Sequence, residues 1–500
     1  MKRFLSLLLL CACMLGARPA WGERDVSNNW YEVFVRSYQD SDGDGLGDLP
    51  GLVSRLDYIQ DMGYNGLWLM PVMASPSYHK YDVANYLEID HEYGTLDDMQ
   101  RLIGEAHARG MRVIIDLPIN HTSAQHPWFQ YACDALRQGA DCAYIDYYRF
   151  QKEPAGGFVP LEDTGWYYEE QFAGGGMPDL NLDNEQIREQ IGIIAAYWLN
   201  IMDADGFRLD AVTSYYTNNA DQNIGFLRWF KDLCQEIKPG SYLVGECWAG
   251  LSTIAQYYES GVDSFFLFPG SQAEGFIVSS LRGRSGHAEK FAASLQNVLE
   301  TIPNGLLAPF LCNHDTGRTV GSVQGRANLA IAKFAEGILN MMPGNVFTYY
   351  GEEIGMVGSG DDPNKRLAMY WNNEDMTAQP PGVTKLEYAY PSVDAQLADP
   401  GSLLNYCKAL NHARIDYPMI ANGTNEFVHV QGDICLMRRK WQGQSCLIAM
   451  NFSAKDTGKC PLPEGARIDR DIETEDAMAE INECCLTMPP YAIVILKEGS

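Results

Sequence analysis

Arg208 and Asp210 stand two residues apart in the run Gly206-Phe207-Arg208-Leu209-Asp210-Ala211-Val212. Phe207 and Leu209 mark this as a short buried strand, and alternation along a strand sends Arg208 and Asp210 the same way. A guanidinium beside a carboxylate holds it ionised, and an ionised carboxylate can act as a nucleophile. Alone, the stretch is equally compatible with a structural Arg/Asp pair at a strand end. Other apolar runs end on comparable chemistry: Asp116 followed by Asn120-His121, Glu246, and Asn313-His314-Asp315. Brought together, Asp210, Glu246 and Asp315 would repel one another at neutral pH, so at least one must be protonated or neutralised. Two carboxyl groups of differing pKa, one a nucleophile and one an acid then base, are what glycoside cleavage with retention uses.

The elements that must position these groups follow from hydrophobic patterning. Near-continuous apolar runs at 30–35, 66–71, 113–118, 206–212, 242–247, 264–268, 309–312 and 346–350 read as strands covered on both faces. Helical spacing separates them, for example Leu52, Leu56, Ile59 and Met62, or Ile191, Ile194, Trp198 and Ile201. Eight strands alternating with helices predict an α/β fold, the (β/α)₈ TIM barrel, whose sites lie at the C-terminal strand ends. The barrel is expected over 23–120 and 183–415. Residues 121–182 are rich in Gly, Pro and aromatics without helix–strand alternation, which predicts an inserted subdomain after strand three. Short alternating runs over 416–500 predict a closing antiparallel β-sandwich domain.

Composition sets further bounds. The chain has 500 residues, 46% of them hydrophobic and 20% charged, ordinary for a soluble globular protein. Its net charge of −28, with no Lys/Arg cluster, argues against a nucleic-acid partner. Lys2 and Arg3 precede an apolar run, and Ala20-Trp21-Gly22 offers a cleavage site, so 1–22 reads as an export signal. Leu10-Cys11-Ala12-Cys13 also resembles a lipoprotein box, leaving lipid anchoring at Cys13 open beside simple cleavage; no other window is apolar enough for a transmembrane span. The expected product is a secreted monomer, or one lipid-anchored at the cell surface or periplasmic. Export permits disulfides: Cys133 with Cys142 first, Cys435 with Cys446 next, then Cys460 with Cys484 or Cys485. The acidic, glycine-rich loop Asp40-Ser41-Asp42-Gly43-Asp44-Gly45-Leu46-Gly47-Asp48 crowds oxygen ligands as a hard cation requires, without the spacing of an EF-hand.

Five segments stand in order as Asp116-Leu-Pro-Ile-Asn120-His121, Met177-Pro178-Asp179-Leu180-Asn181, Gly206-Phe207-Arg208-Leu209-Asp210, Gly245-Glu246-Cys247-Trp248 and Asn313-His314-Asp315. Together they resemble the α-amylase family of retaining glycoside hydrolases, glycoside hydrolase family 13, over nearly all of the mature chain. The resemblance implies Asp210 as nucleophile, Glu246 as general acid/base and Asp315 as the third acid, with Tyr81, His121, Arg208, Trp248 and His314 contacting an α-glucan. It implies Ca²⁺ held by Asp40, Asp42, Asp44, the Leu46 carbonyl and Asp48. Asn120 and Asp179 match part of a second calcium site, although Thr213-Ser214 stands where Lys-His often follows the nucleophile. The segment at Met177 looks intermediate between oligo-1,6-glucosidases and neopullulanases. Tyr78, three residues before Tyr81, replaces the Asp frequent in exo-acting members, and Ala211 replaces the Val of α-1,6 specialists. The resemblance therefore implies an α-amylase cutting internal α-1,4 bonds of starch and maltooligosaccharides. A maltodextrin glucosidase, neopullulanase, cyclomaltodextrinase or transglycosylase stands as alternative, and a non-catalytic amylase-like binding protein as a distant one.

Overall fold

The computed structural model describes residues 29–172, 174–282, 285–323, 325, 328–472 and 478–498. The expected signal segment and Cys13 lie outside them. Eight parallel strands form the central sheet: β1 (Asn29–Val33), β2 (Gly66–Leu69), β3 (Arg112–Leu117), β4 (Gly206–Leu209), β5 (Tyr242–Gly245), β6 (Ser264–Phe266), β7 (Leu306–Ala308) and β8 (Val346–Tyr349). They pair in the order β7-β6-β5-β4-β3-β2-β1-β8. A parallel bridge between Phe310 and Phe347 closes the ring. This is the expected TIM barrel.

Strand seven lies three residues earlier than the sequence suggests. Pro309 has no amide hydrogen to donate, so the regular ladder stops at Ala308. The barrel interior is packed with Trp30, Trp68, Ile114, Tyr242, Val244, Phe266, Phe310 and Phe347. At the foot of β4, a Cβ on Gly206 would fall 1.8 Å from the Tyr242 carbonyl oxygen, so only glycine lets β4 lie against β5 there.

The stretch after β3 is more regular than its composition predicts. It holds a helix, Pro127–Gln138, started by Pro127 and stopped by Gly139 in the left-handed region (φ 65°). It also holds a three-stranded sheet of Phe150–Gln151, Trp166–Glu169 and Phe158–Leu161. The C-terminal region forms a five-stranded antiparallel sheet against a three-stranded one. Leu436, Leu447, Leu486, Met488, Val494 and Leu496 fill the space between them.

The expected disulfides do not form: the eleven cysteines from Cys133 to Cys485 are free thiols. Register explains the C-terminal ones. Cys435 faces Met450 while Cys446 faces Arg439, and Cys460 faces Leu486 while Cys485 faces Pro461. Cys133 is buried on its helix, and Cys142 lies half-exposed beyond the helix end. Among the described residues, no helix is long and apolar enough to cross a membrane.

Candidate active site

Parallel pairing of β3 and β4 places Asp116 directly opposite Arg208. Arg208 Nη1 donates to both Asp116 oxygens at 2.9 and 3.0 Å and to Asp210 Oδ1 at 2.6 Å. Its Nη2 ion-pairs with Glu246 Oε1, just beyond β5, at 2.8 Å. One buried guanidinium therefore touches three carboxyl groups, and Asp210 and Glu246 lie no farther apart than two hydrogen bonds plus its width. Three acids share one cation, so they do not all ionise at neutral pH.

The local environments decide which of them keeps a proton. Burial pushes Glu246 up to about 8; the Arg208 charge works against this, while Asp210 and Asp315 add to it. Asp116 is pushed up to about 7, again by burial first, with Arg208 opposing and Asp210 reinforcing. Glu246 is held from below as well. Its Oε2 accepts the Ala211 amide at 3.0 Å. To aim that N–H, Ala211 adopts a left-handed φ of 45°, a conformation few non-glycine residues take outside constrained sites.

Asp315, after β7, sits in the opposite electrostatic setting. His314 Nε2 lies 2.9 Å from one of its oxygens and Arg366 Nη2 donates to the other at 2.8 Å. Burial favours its neutral form, yet His314 and Arg366 outweigh burial and hold it well below the usual carboxylate range. Burial likewise opposes charge on His314, but Asp315 and Glu32 raise it to about 10, so it is an imidazolium at neutral pH. Its Nδ1 lies 2.5 Å from Glu32 Oε1 on β1.

Tyr81 joins these groups from the loop after β2. Its hydroxyl donates to Asp116 Oδ2 at 2.9 Å and lies 2.6 Å from His314 Nε2, with the two rings stacked at 5.4 Å. His121 meets the Tyr81 carbonyl through Nε2 at 3.3 Å. A carbonyl only accepts, so Nε2 carries the proton, and burial keeps the ring neutral by lowering its pKa. Trp248 lies apart from the acids, half exposed and stacked on Phe268 at 4.7 Å. It borders an open pocket of about 490 Å³ shared with Gln272 and Glu274.

The structure thus gathers Asp210, Glu246, Asp315, Tyr81, His121, Arg208 and His314, with Trp248 at the rim. It adds groups that sequence reasoning did not select. Arg366 lies in an irregular loop without a motif, Glu32 is a lone acid inside an apolar strand, and Phe172 turns its edge to His121 at 5.6 Å. For Glu32 the available signal was its strand position, two residues after the inward Trp30.

In the acidic loop, oxygens of Asp40, Asp42 and Asp48 lie within 4.8 Å of one another. Three hard carboxylate donors at that spacing suit Ca²⁺. Asp44 is not part of that group; its carboxylate instead accepts the Leu46 amide at 2.7 Å. Asp48 also caps the helix Leu49–Ser54 through the Gly51 amide. At the suggested second site, Asn120 Nδ2 donates to Asp179 Oδ1 at 3.1 Å, and Asp179 Oδ2 accepts the Gln171 amide. Burial raises Asp179 to about 8, so it favours the neutral form there. Among the described residues Asp179 belongs to no cluster of three His, Cys, Asp or Glu donors.

Comparison with known proteins agrees with this geometry. Residues 32–423 match the alpha-amylase catalytic domain model. Alpha-amylase 3 of Dictyoglomus thermophilum is 33% identical over 99% of this chain and 98% of its own. Neopullulanase 2 of Thermoactinomyces vulgaris is 32% identical over 91% of this chain and 71% of its own. The solved structure of Eubacterium rectale Amy13B superposes with a TM-score of 0.91 at 40% identity, covering 95% of this chain and 96% of that one. With the barrel, the acid cluster and these relatives in agreement, the chain belongs to the α-amylase family of glycoside hydrolases, glycoside hydrolase family 13.

Proposed function

We propose that this enzyme is an α-amylase that hydrolyses internal α-1,4-glucosidic bonds of starch and maltooligosaccharides with retention of anomeric configuration. The observation that carries this reading is the Arg208 bridge, which holds Asp210 and a proton-bearing Glu246 on either side of one guanidinium. So short a separation suits a nucleophile and an acid/base acting on one anomeric carbon, since inverting enzymes need additional room for a water.

In this mechanism the Asp210 carboxylate attacks the anomeric carbon while Glu246 gives its proton to the departing glycosidic oxygen. A covalent glycosyl ester forms on Asp210. Glu246, now a carboxylate, takes a proton from water, which attacks the same carbon and releases Asp210. Asp315, with His314, Arg366 and Tyr81, holds the reacting ring, and His121 and Phe172 flank it. Trp248 and its pocket offer an aromatic face to the departing chain. Exposed aromatic rings at Phe172, beside His121, and at Trp248 support internal cleavage by offering stacking to more than one sugar. Asp40, Asp42 and Asp48 would hold Ca²⁺, which would cross-link the loop after β1. The amino-terminal Lys2-Arg3 and apolar run support export.

A second reading, neopullulanase or glucosidase action, is favoured by the relative named Neopullulanase 2. One digest distinguishes the two. Soluble starch should lose iodine staining early and yield maltooligosaccharides, with slower release from pullulan and panose. Early glucose with staining intact would refute the endo reading. Glu246→Gln should reduce starch hydrolysis by at least about three orders of magnitude, since proton donation and later water activation both vanish. Near-wild-type turnover in that variant would overturn the assignment.

A further inference from the structure

Lys80 directly precedes Tyr81, yet its side chain runs the other way, into the protein. It is buried, and its backbone is left-handed at φ 64°, unusual for a long side chain. Its Nζ lies 3.0 Å from the buried Asp90 carboxylate and 2.7 Å from Glu92, beside the Tyr93 ring at 5.5 Å. That anchor segment is itself rigid, because the helix Leu96–Ala108 follows it with a reciprocal capping box between Thr95 and Asp98. On the other side of the turn, Tyr81 reaches Asp116 and His314. A left-handed residue persists only where surrounding contacts over-determine it.

We propose that Lys80 is a positioning residue: its ion pairs with Asp90 and Glu92 hold the turn in its left-handed form, so that Tyr81 is already aimed at the reacting sugar ring. The inference rests on the proposed placement of that ring against Tyr81. Without the anchor the turn relaxes toward ordinary backbone angles, and Tyr81 leaves His314 and Asp116. The acids stay where they are, since none is bonded to Lys80. The loss therefore falls on ground-state alignment and shows in KM as well as kcat.

The test is a double-mutant cycle on maltooligosaccharide hydrolysis with Lys80→Met, Tyr81→Ala and the pair. Lys80→Met should lower kcat/KM by roughly 10- to 100-fold, the range expected of ångström-scale misplacement. Adding it to Tyr81→Ala should cost little more. Lys80→Arg should recover part of the activity, and Lys80→Gly, which accommodates the left-handed backbone but removes the anchor, should not. Lys238→Met removes a comparable pairing to Asp203 and Asp205 just before β4; it should lower the melting temperature and leave KM unchanged. Should Lys80→Met not fold, Glu92→Gln weakens the same anchor and enters the same cycle. Multiplying effects, or a Lys80 variant with unchanged kcat/KM beside an impaired Tyr81→Ala, would overturn the inference. An unimpaired Tyr81→Ala would overturn the placement of the sugar instead.

Discussion

At the scale of single residues, the site works by unequal treatment of like groups. Asp315 receives two cations and stays ionised, whereas Glu246 shares Arg208 with Asp116 and Asp210 and keeps its proton. Proton donation requires the acid form of Glu246, which is held below about pH 8 and lost above it. On starch, kcat/KM should therefore fall as pH rises through about 8, with the neighbouring Asp116, itself near 7, broadening the limb. A leaving group that needs no protonation removes that requirement. An activated aryl maltooside should thus show a weaker alkaline limb, and Glu246→Gln should be far less impaired on it in the first step. A profile flat to pH 10 on starch would show that Glu246 is not the proton donor. His314 cannot supply this limb, because its imidazolium persists to about 10 and faces Asp315 and Glu32.

At the scale of elements, barrel strands order the acids, and loops set their angles. The acidic loop between β1 and the helix Leu49–Ser54 is where a cation should act. Asp40 is tied to the Asp42, Gly43 and Gly45 amides, and Asp48 to Ser41 and Gly51, so the loop is already folded around its carboxylates. Mutual repulsion among Asp40, Asp42 and Asp48 is what calcium would relieve. A ligand bound only to the folded state stabilises it by about 2.7 kcal/mol at a hundredfold excess over Kd. Calcium should therefore raise the melting temperature and excess chelator lower it, while Asp42→Asn should abolish the difference. Identical melting curves with calcium and chelator would exclude the site. Most barrel strands were legible because apolar runs covered on both faces look alike in every such sheet, and the acids stood at their ends. Strand seven was misplaced because the apolar run Pro309 to Cys312 hides a residue that can accept but not donate a ladder hydrogen bond. Arg366 stayed invisible because its role comes from where an irregular loop returns after β8, which no local pattern encodes. The disulfide expectation failed for a similar reason: nearness along the chain does not fix register, which sets Cys446 opposite Arg439, four residues along the strand from Cys435, and puts Cys460 and Cys485 on opposite faces.

At the scale of the whole molecule, the barrel and the C-terminal sandwich meet over two buried arginines. Arg414, on the helix Leu403–Asp416, donates to the carbonyls of Asn340, Met342 and Gly344, where the helix Leu329–Asn340 ends before β8. Arg439, from the sandwich strand Ile434–Trp441, donates to the Met341 carbonyl at 2.9 Å. One helix end is thus capped from both units. Neither guanidinium is ion-paired to an acid among the described residues. Burial lowers Arg414 to about 9, with the charge of Arg439 adding to it, and burial lowers Arg439 to about 10. The two cations therefore support neighbouring carbonyls of one helix end while disfavouring each other. Arg414→Met strands three carbonyls, at about 1–3 kcal/mol for each buried group left unpaired, so it should cost at least about 3 kcal/mol. Arg439→Met strands one carbonyl but removes a buried like charge, so it should cost about 1 kcal/mol or less. For the same reason the double variant should be more destabilised than the two losses added, because each single loss already contains the relief of a repulsion that the double variant gains only once. Urea denaturation of the three variants checks this; equal losses for the single variants, or strict additivity, would show that the arginines do not oppose one another across the seam.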